Sequence, residues 1–117
     1  IKLIEKKKFK NKRIVLNLAL NYGSKEEIIN ACKMLLLKNK NNISVEKFEE
    51  NLYTKNIPDP DLMIRTGGNK RLSNFLLWQL AYAEIFFINK LWPEFNEIDY
   101  YKIINKFHKI KRNFGTI

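Results

Sequence analysis

Arg65, Gly67, Gly68, Arg71 and Ser73 fall close together in the sequence, with Lys70 between them. Guanidinium groups grip phosphate through paired N–H donors, and a serine hydroxyl adds one more. Glycine reaches positive φ and lets the backbone pass close to a ligand. The set suits a doubly charged anion such as a diphosphate. Its spacing matches neither G-x-x-x-x-G-K-[ST] nor G-x-G-x-x-G, so both common nucleotide-binding motifs are excluded. Further on, Glu84 stands between apolar segments. A carboxylate buried there needs a cation or a proton donor. An arginine of the turn would serve, as would a hard Mg2+ ion shared with substrate phosphates. An exposed glutamate at a helix end is the third reading.

The elements that must position these groups are legible on either side. Leu62, Met63 and Ile64 form a short apolar run broken at the glycines, and a nearly continuous apolar stretch follows from Ser73. The pattern predicts strand, glycine turn, then a helix from Ser73 buried on several sides. In parallel α/β sheets ligands bind beyond the carboxyl ends of strands, where the next helix offers free N–H groups. Residues 14–22 read as a second strand, apolar on both faces as in a central parallel strand covered by helices. Asn17 and Asn21 share one face of it, and Asn21 sits at the end where a ligand would be met. Bonding to nearby loop backbone explains both asparagines equally well. Residues 85–88 predict a third strand.

Ser24 and Glu27 have capping-box spacing and open a helix expected to run to about Lys38. Ser44 caps a second, with Val45, Phe48 and Leu52 on one face. Asn96 starts a last helix with Ile98, Tyr101, Ile104, Phe107 and Ile110 as its apolar positions, stopped by Gly115. Cys32, the single cysteine, reads as a small buried hydrophobe, and His108, the single histidine, as a helix-surface residue. Without a second such ligand at suitable spacing, a transition-metal site has no support. The chain has 117 residues and a net charge of +10, which favours anionic partners. Basic residues crowd positions 2–13 with little aromatic interleaving, so a solvated face is expected there rather than a nucleic-acid site. Polar residues interrupt residues 72–88, the most apolar stretch, which argues against a transmembrane helix.

The run R-T-G-G-N-K-R-L-S-N-F-L-L-W-Q-L-A-Y-A-E, followed by L-W-P-E-F and preceded by L-N-L-A-L-N-Y-G-S-K-E-E-I, resembles the signature of the cis-prenyltransferases, the undecaprenyl diphosphate synthase family. The resemblance covers nearly the whole chain. It implies an α/β fold, a parallel sheet flanked by helices, with residues 1–117 as one domain fragment corresponding to the C-terminal half of an isoprenyl transferase domain. It implies that Arg65, Arg71 and Ser73 hold the diphosphate of isopentenyl diphosphate, that Glu84 helps place Mg2+, and that Gly67, Gly68, Asn74 and Asn21 support the site. The reaction implied is condensation of isopentenyl diphosphate onto an allylic diphosphate such as farnesyl diphosphate. It forms a cis double bond and builds the long-chain polyprenyl diphosphate that carries cell-wall glycans. A homodimer in the cytoplasm, touching the inner membrane face through its lipid product, completes the expectation.

The family's catalytic aspartate belongs to H-x-x-M-D-G-N-x-R, which is absent here, so no catalytic residue is expected in these 117 residues. Asn69 stands where the family often has an acid, and Ser24 where it has glycine. The R-x-G tail appears as Asn113-Phe114-Gly115, with Arg112 one position early. A non-catalytic partner subunit is the alternative reading, and a small basic nucleic-acid-binding domain a more distant one.

Overall fold

The structure is a computed structural model that describes residues 14–38 and 43–113. Helix α1 spans Ser24–Lys38, α2 spans Val45–Glu49, strand β1 Leu62–Arg65, strand β2 Glu84–Phe87 and helix α3 Glu97–Phe107, with one 3-10 turn at Trp92–Glu94. The strands pair in parallel with Leu62 opposite Glu84 and Arg65 opposite Phe87. A parallel sheet with helices is therefore present, but among the described residues it has two strands rather than three. Residues 14–20 form no strand and are exposed throughout. A strand exists only through a neighbour's hydrogen bonds, and none of the described strands pairs with this segment.

The core lies in the helical layer. Ala31 and Leu35 of α1 meet Phe48 and Leu52, with Ile28 and Trp78 packed against them. The Phe48 and Trp78 rings are 4.5 Å apart and tilted, and the indole N–H donates to Glu49 at 3.0 Å. Ser44 caps α2 as its type predicts, its side chain accepting from the Lys47 amide at 3.4 Å.

Several expectations are corrected. The capping box at Ser24 does not form: the Gly23 carbonyl accepts the Glu27 amide at 3.0 Å, while Ser24 Oγ accepts from the Leu77 amide at 2.9 Å. Both residues are fully buried, because they dock α1 onto residues 73–80 instead of closing its own first turn. That docking also explains why residues 73–82 form tight turns rather than a helix. Ser73, Asn74 and Leu76 have φ of 51°, 62° and 45°, outside the right-handed region. The groups that would close a helical ladder are spent on α1: the Asn74 carbonyl accepts from the Ser24 amide at 2.8 Å, and its side chain from the Lys25 amide at 2.8 Å.

Cys32 is exposed rather than buried, since Ala31 and Leu35 take the inward positions of α1. Asn96 caps α3 through a capping box with Asp99. The buried face of α3 centres on Ile103, with Ile104 and Phe107 beside it, while Ile98 and Tyr101 face outward. The expected apolar stripe is thus rotated. The helix ends at Phe107, and His108 is its exposed C-cap. Gly115 and the basic run at positions 2–13 lie outside the described residues.

Candidate functional site

Beyond the carboxyl end of β1 the chain turns through Gly67 and Gly68, with φ of 86° and 75°. A Cβ at Gly67 would meet nothing within 4 Å, so the backbone angle, not space, calls for glycine. Both glycine amides are already engaged: Gly67 N–H donates to the Lys90 carbonyl at 2.8 Å and Gly68 N–H to the Ile88 carbonyl at 2.9 Å. The expected cradle of free amides is absent, and so is the helix dipole expected from Ser73. What remains for an anion are side chains.

Those side chains are organised. Arg65, half-buried at the end of β1, donates through Nη1 to the Arg71 carbonyl at 2.5 Å and to Ser73 Oγ at 3.1 Å. One guanidinium arm thereby fixes the loop that carries the other two groups. Ser73 accepts in that bond, which leaves its O–H free to donate. The Arg71 guanidinium is exposed and engages no partner among the described residues, so its planar fork is available. Lys70 is exposed beside it.

Behind this loop lies a network that the sequence reading missed. Glu27 is fully buried, and no cation among the described residues forms an ion pair with it. Its carboxylate accepts from the Tyr22 hydroxyl, from the Tyr53 amide at 2.8 Å and from Gln79 Nε2 at 3.2 Å. Gln79 Nε2 also donates to Thr54 at 2.9 Å. Three neutral donors replace the counter-ion a buried carboxylate otherwise needs. Burial, reinforced by the neighbouring Glu27 carboxylate, pushes the Tyr22 hydroxyl up from 10.0 to about 12. Tyr22 also meets Phe75 edge to face at 5.7 Å. Asn74, expected to support the site, does so from behind: its Nδ2 donates to Glu26 at 3.0 Å, and its backbone holds Ser24. The available signal was Gln79, a polar residue inside an apolar run, which must find partners when buried.

Asn21 has φ of 51° and an exposed side chain. It borders a cavity with Tyr22, Phe75 and Gln79, and no contact joins it to Arg65 or Ser73 among the described residues. Glu84 lies elsewhere again. It opens β2 opposite Leu62, whereas Arg65 ends β1 opposite Phe87. Three residues of strand separate them by about 10 Å, and alternation puts their side chains on opposite faces.

A Mg2+ ion is therefore not served by these residues alone. No three His, Cys, Asp or Glu side chains converge on one point among the described residues. Asp61, whose carbonyl accepts from the Glu84 amide at 3.0 Å, has its carboxylate bound by Arg112 at 2.5 Å. Arg112 also donates to the Tyr82 carbonyl at 3.1 Å and lies over the Phe107 ring at 5.6 Å. It is a clamp between α3 and the start of β1.

Comparison with known proteins identifies the family. The prenyltransferase family profile, described as "Putative undecaprenyl diphosphate synthase", matches residues 1–115. An isoprenyl transferase of Oceanobacillus iheyensis is 50% identical over 113 residues, covering 92% of this chain and 45% of that protein. The crystal structure of a "probable undecaprenyl diphosphate synthase" from Campylobacter jejuni superposes with a TM-score of 0.76 at 43% identity, over 86% of this chain and 47% of the other. Lavandulyl diphosphate synthase from Lavandula x intermedia, solved with dimethylallyl diphosphate, gives 0.74 at 39% identity, over 80% and 43%. The chain spans about half the length of the relatives it matches, and no described helix is long and apolar enough to cross a membrane. With its parallel strands and glycine turn in place, this chain belongs to the undecaprenyl diphosphate synthase family of prenyltransferases.

Proposed function

We propose that residues 65–73 bind the diphosphate of isopentenyl diphosphate within a cis-prenyltransferase. The observation that carries the reading is the bond from Arg65 to Ser73 Oγ and the Arg71 carbonyl, which fixes the loop that carries the exposed Arg71 guanidinium and the Ser73 hydroxyl. Phosphate oxygens take the Arg71 fork bidentately and one bond from Ser73. Fixing the diphosphate holds the alkene end of the substrate in place. In the reaction the allylic carbon–oxygen bond breaks, a carbon–carbon bond forms to the alkene and a proton is lost, leaving a cis double bond. This chain's contribution is to bind and orient, and it forms one domain fragment of the enzyme fold. The resemblance calls for Mg2+, which would screen diphosphate charge and take Glu84 as a ligand. Glu84 lies at the far end and on the other face of the strand pair from Arg65, so the grip on the diphosphate rests on Arg65, Arg71 and Ser73. A homodimer, using the exposed Phe75 and Tyr82 with the Phe86 and Phe87 strand, and a cytoplasmic site facing the membrane complete the proposal.

The separation of Glu84 from Arg65 favours one second reading, a non-catalytic subunit that retains the fold. Kinetics on the active assembly containing this chain separate the two. Arg71→Ala is expected to raise KM for isopentenyl diphosphate at least tenfold, or about 1.4 kcal/mol, while leaving that for the allylic substrate within about twofold. Equal effects on both substrates, or none, would overturn the assignment.

A further inference from the structure

A helix opens with amide donors that its own turns leave unpartnered, and the side chain just before it ordinarily supplies an acceptor. Helix α1 has no such supply, because Gly23 stands before it. Nothing larger fits there: a Cβ at Gly23 would collide with Glu26 Oε2 and lie 2.8 Å from Asn74 Nδ2. The cap comes instead from a residue 49 positions beyond Lys25. The Asn74 carbonyl accepts from the Ser24 amide at 2.8 Å, and Asn74 Oδ1 accepts from the Lys25 amide at 2.8 Å. Its Nδ2 donates to Glu26 Oε2 at 3.0 Å. A backbone amide only donates and a carboxylate only accepts, so these partners fix which way the Asn74 side chain points. The Glu26 backbone amide, and then the Asn74 side chain, hold the Glu26 carboxyl below its usual 4.5, which keeps it an acceptor.

Asn74 directly follows Ser73, and the two have φ of 62° and 51°. Consecutive non-glycine residues persist in the left-handed region only where their surroundings impose it. Arg65 reaches Ser73 from the front with one arm of a long side chain. The three bonds to α1 act from behind, on the end of a helix. We infer that Asn74 is a positioning residue for Ser73: by capping α1 it sets the backbone from which the Ser73 hydroxyl reaches the diphosphate, without touching the substrate itself. The inference deepens the reading of Ser73 as a diphosphate ligand and rests on it.

Kinetics on the active assembly containing this chain test it. Asn74→Gly tolerates the same φ and keeps the carbonyl, so only the two side-chain bonds are lost. It is expected to raise KM for isopentenyl diphosphate about fivefold, with kcat and KM for the allylic substrate each within about 1.5-fold. Ser73→Ala alone should raise the same KM about tenfold, and adding Asn74→Gly to it should raise KM by less than about 1.5-fold more, because the two act through one hydroxyl. Asn74→Asp sets a second carboxylate against Glu26 and should raise KM about tenfold. Adding Glu26→Gln restores the bond with donor and acceptor exchanged, and KM should return to within about twofold of the starting value. Where Asn74→Gly costs the fold, this exchanged pair decides alone. The inference is overturned, with the anion site left standing, by indifference of KM to Asn74→Gly, by an equal rise for both substrates, by a full fivefold rise in the Ser73→Ala background, or by no recovery in the exchanged pair. A KM indifferent to Ser73→Ala removes the site and the inference together.

Discussion

The two ends of the segment from Arg65 to Gln79 treat polar groups in opposite ways. At the Gln79 end, Glu27 is sealed from water and every bond it makes is internal. At the Arg65 end, one guanidinium arm is spent on structure while Arg71 and Ser73 keep their donors for something else. A closed network stiffens a scaffold, and an open one binds. The comparison shows why the candidate site can sit on a loop. The turns that carry Ser73 are held from behind by α1, so the binding groups need not be held from the front.

The closed end should be the more costly to break. Glu27→Ala strands three donors in a dry place, and a loss of about 2–4 kcal/mol is expected in urea unfolding. A loss below about 1 kcal/mol would mean that water reaches the network. The open end should respond in affinity instead. Arg65→Ala removes the bond to Ser73, and inorganic pyrophosphate binding by calorimetry should weaken about tenfold, with stability changed by less than about 1 kcal/mol.

pH separates the two ends further. The Tyr22 hydroxyl titrates near 10.0 when unfolded and at about 12 when folded. Its contribution is therefore complete below pH 10 and is lost as pH rises toward 12. Absorbance at 295 nm should show one tyrosine ionising late, and Tyr22→Phe should remove that step. The smallest effect belongs to the exposed pair of Lys90 and Asp99, 2.7 Å apart. The Lys90 hydrogen bond holds Asp99 below its usual 3.8, so this contribution is present above that pH and fades as the pH falls further. Lys90→Ala should flatten that acid limb, and 1 M salt should reproduce much of the change.

The sequence revealed local elements better than their mutual use. The helices from Ser24, Val45 and Glu97 and the strands at Leu62 and Glu84 follow periodicity and caps, which are short-range properties. Residues 73–82 have strong helical patterning, yet the Asn74 carbonyl and the Leu77 amide bond to Ser24 and the Asn74 side chain accepts from the Lys25 amide, far away in sequence. No local pattern carries that competition. Ser24 and Glu27 misled for the same reason, since capping and tertiary docking use identical atoms. At the candidate site, the residue types at Arg65, Arg71 and Ser73 were readable, and so was the need for glycine. The placement of Glu84 was not, because strand register is a fact about two segments at once.

The amide bonds from Gly67 to Lys90 and from Gly68 to Ile88 join the loop after β1 to the loop after β2. The two loops thus shift as one body. Trp92 hangs from that body, 74% exposed and stacked on Phe95 at 6.1 Å. Trp78 sits in the helical layer between Phe48 and Glu49. The protein consequently carries its own pair of optical gauges: a water-facing indole that registers movement of the glycine turn, and a shielded one that registers only the packing behind it.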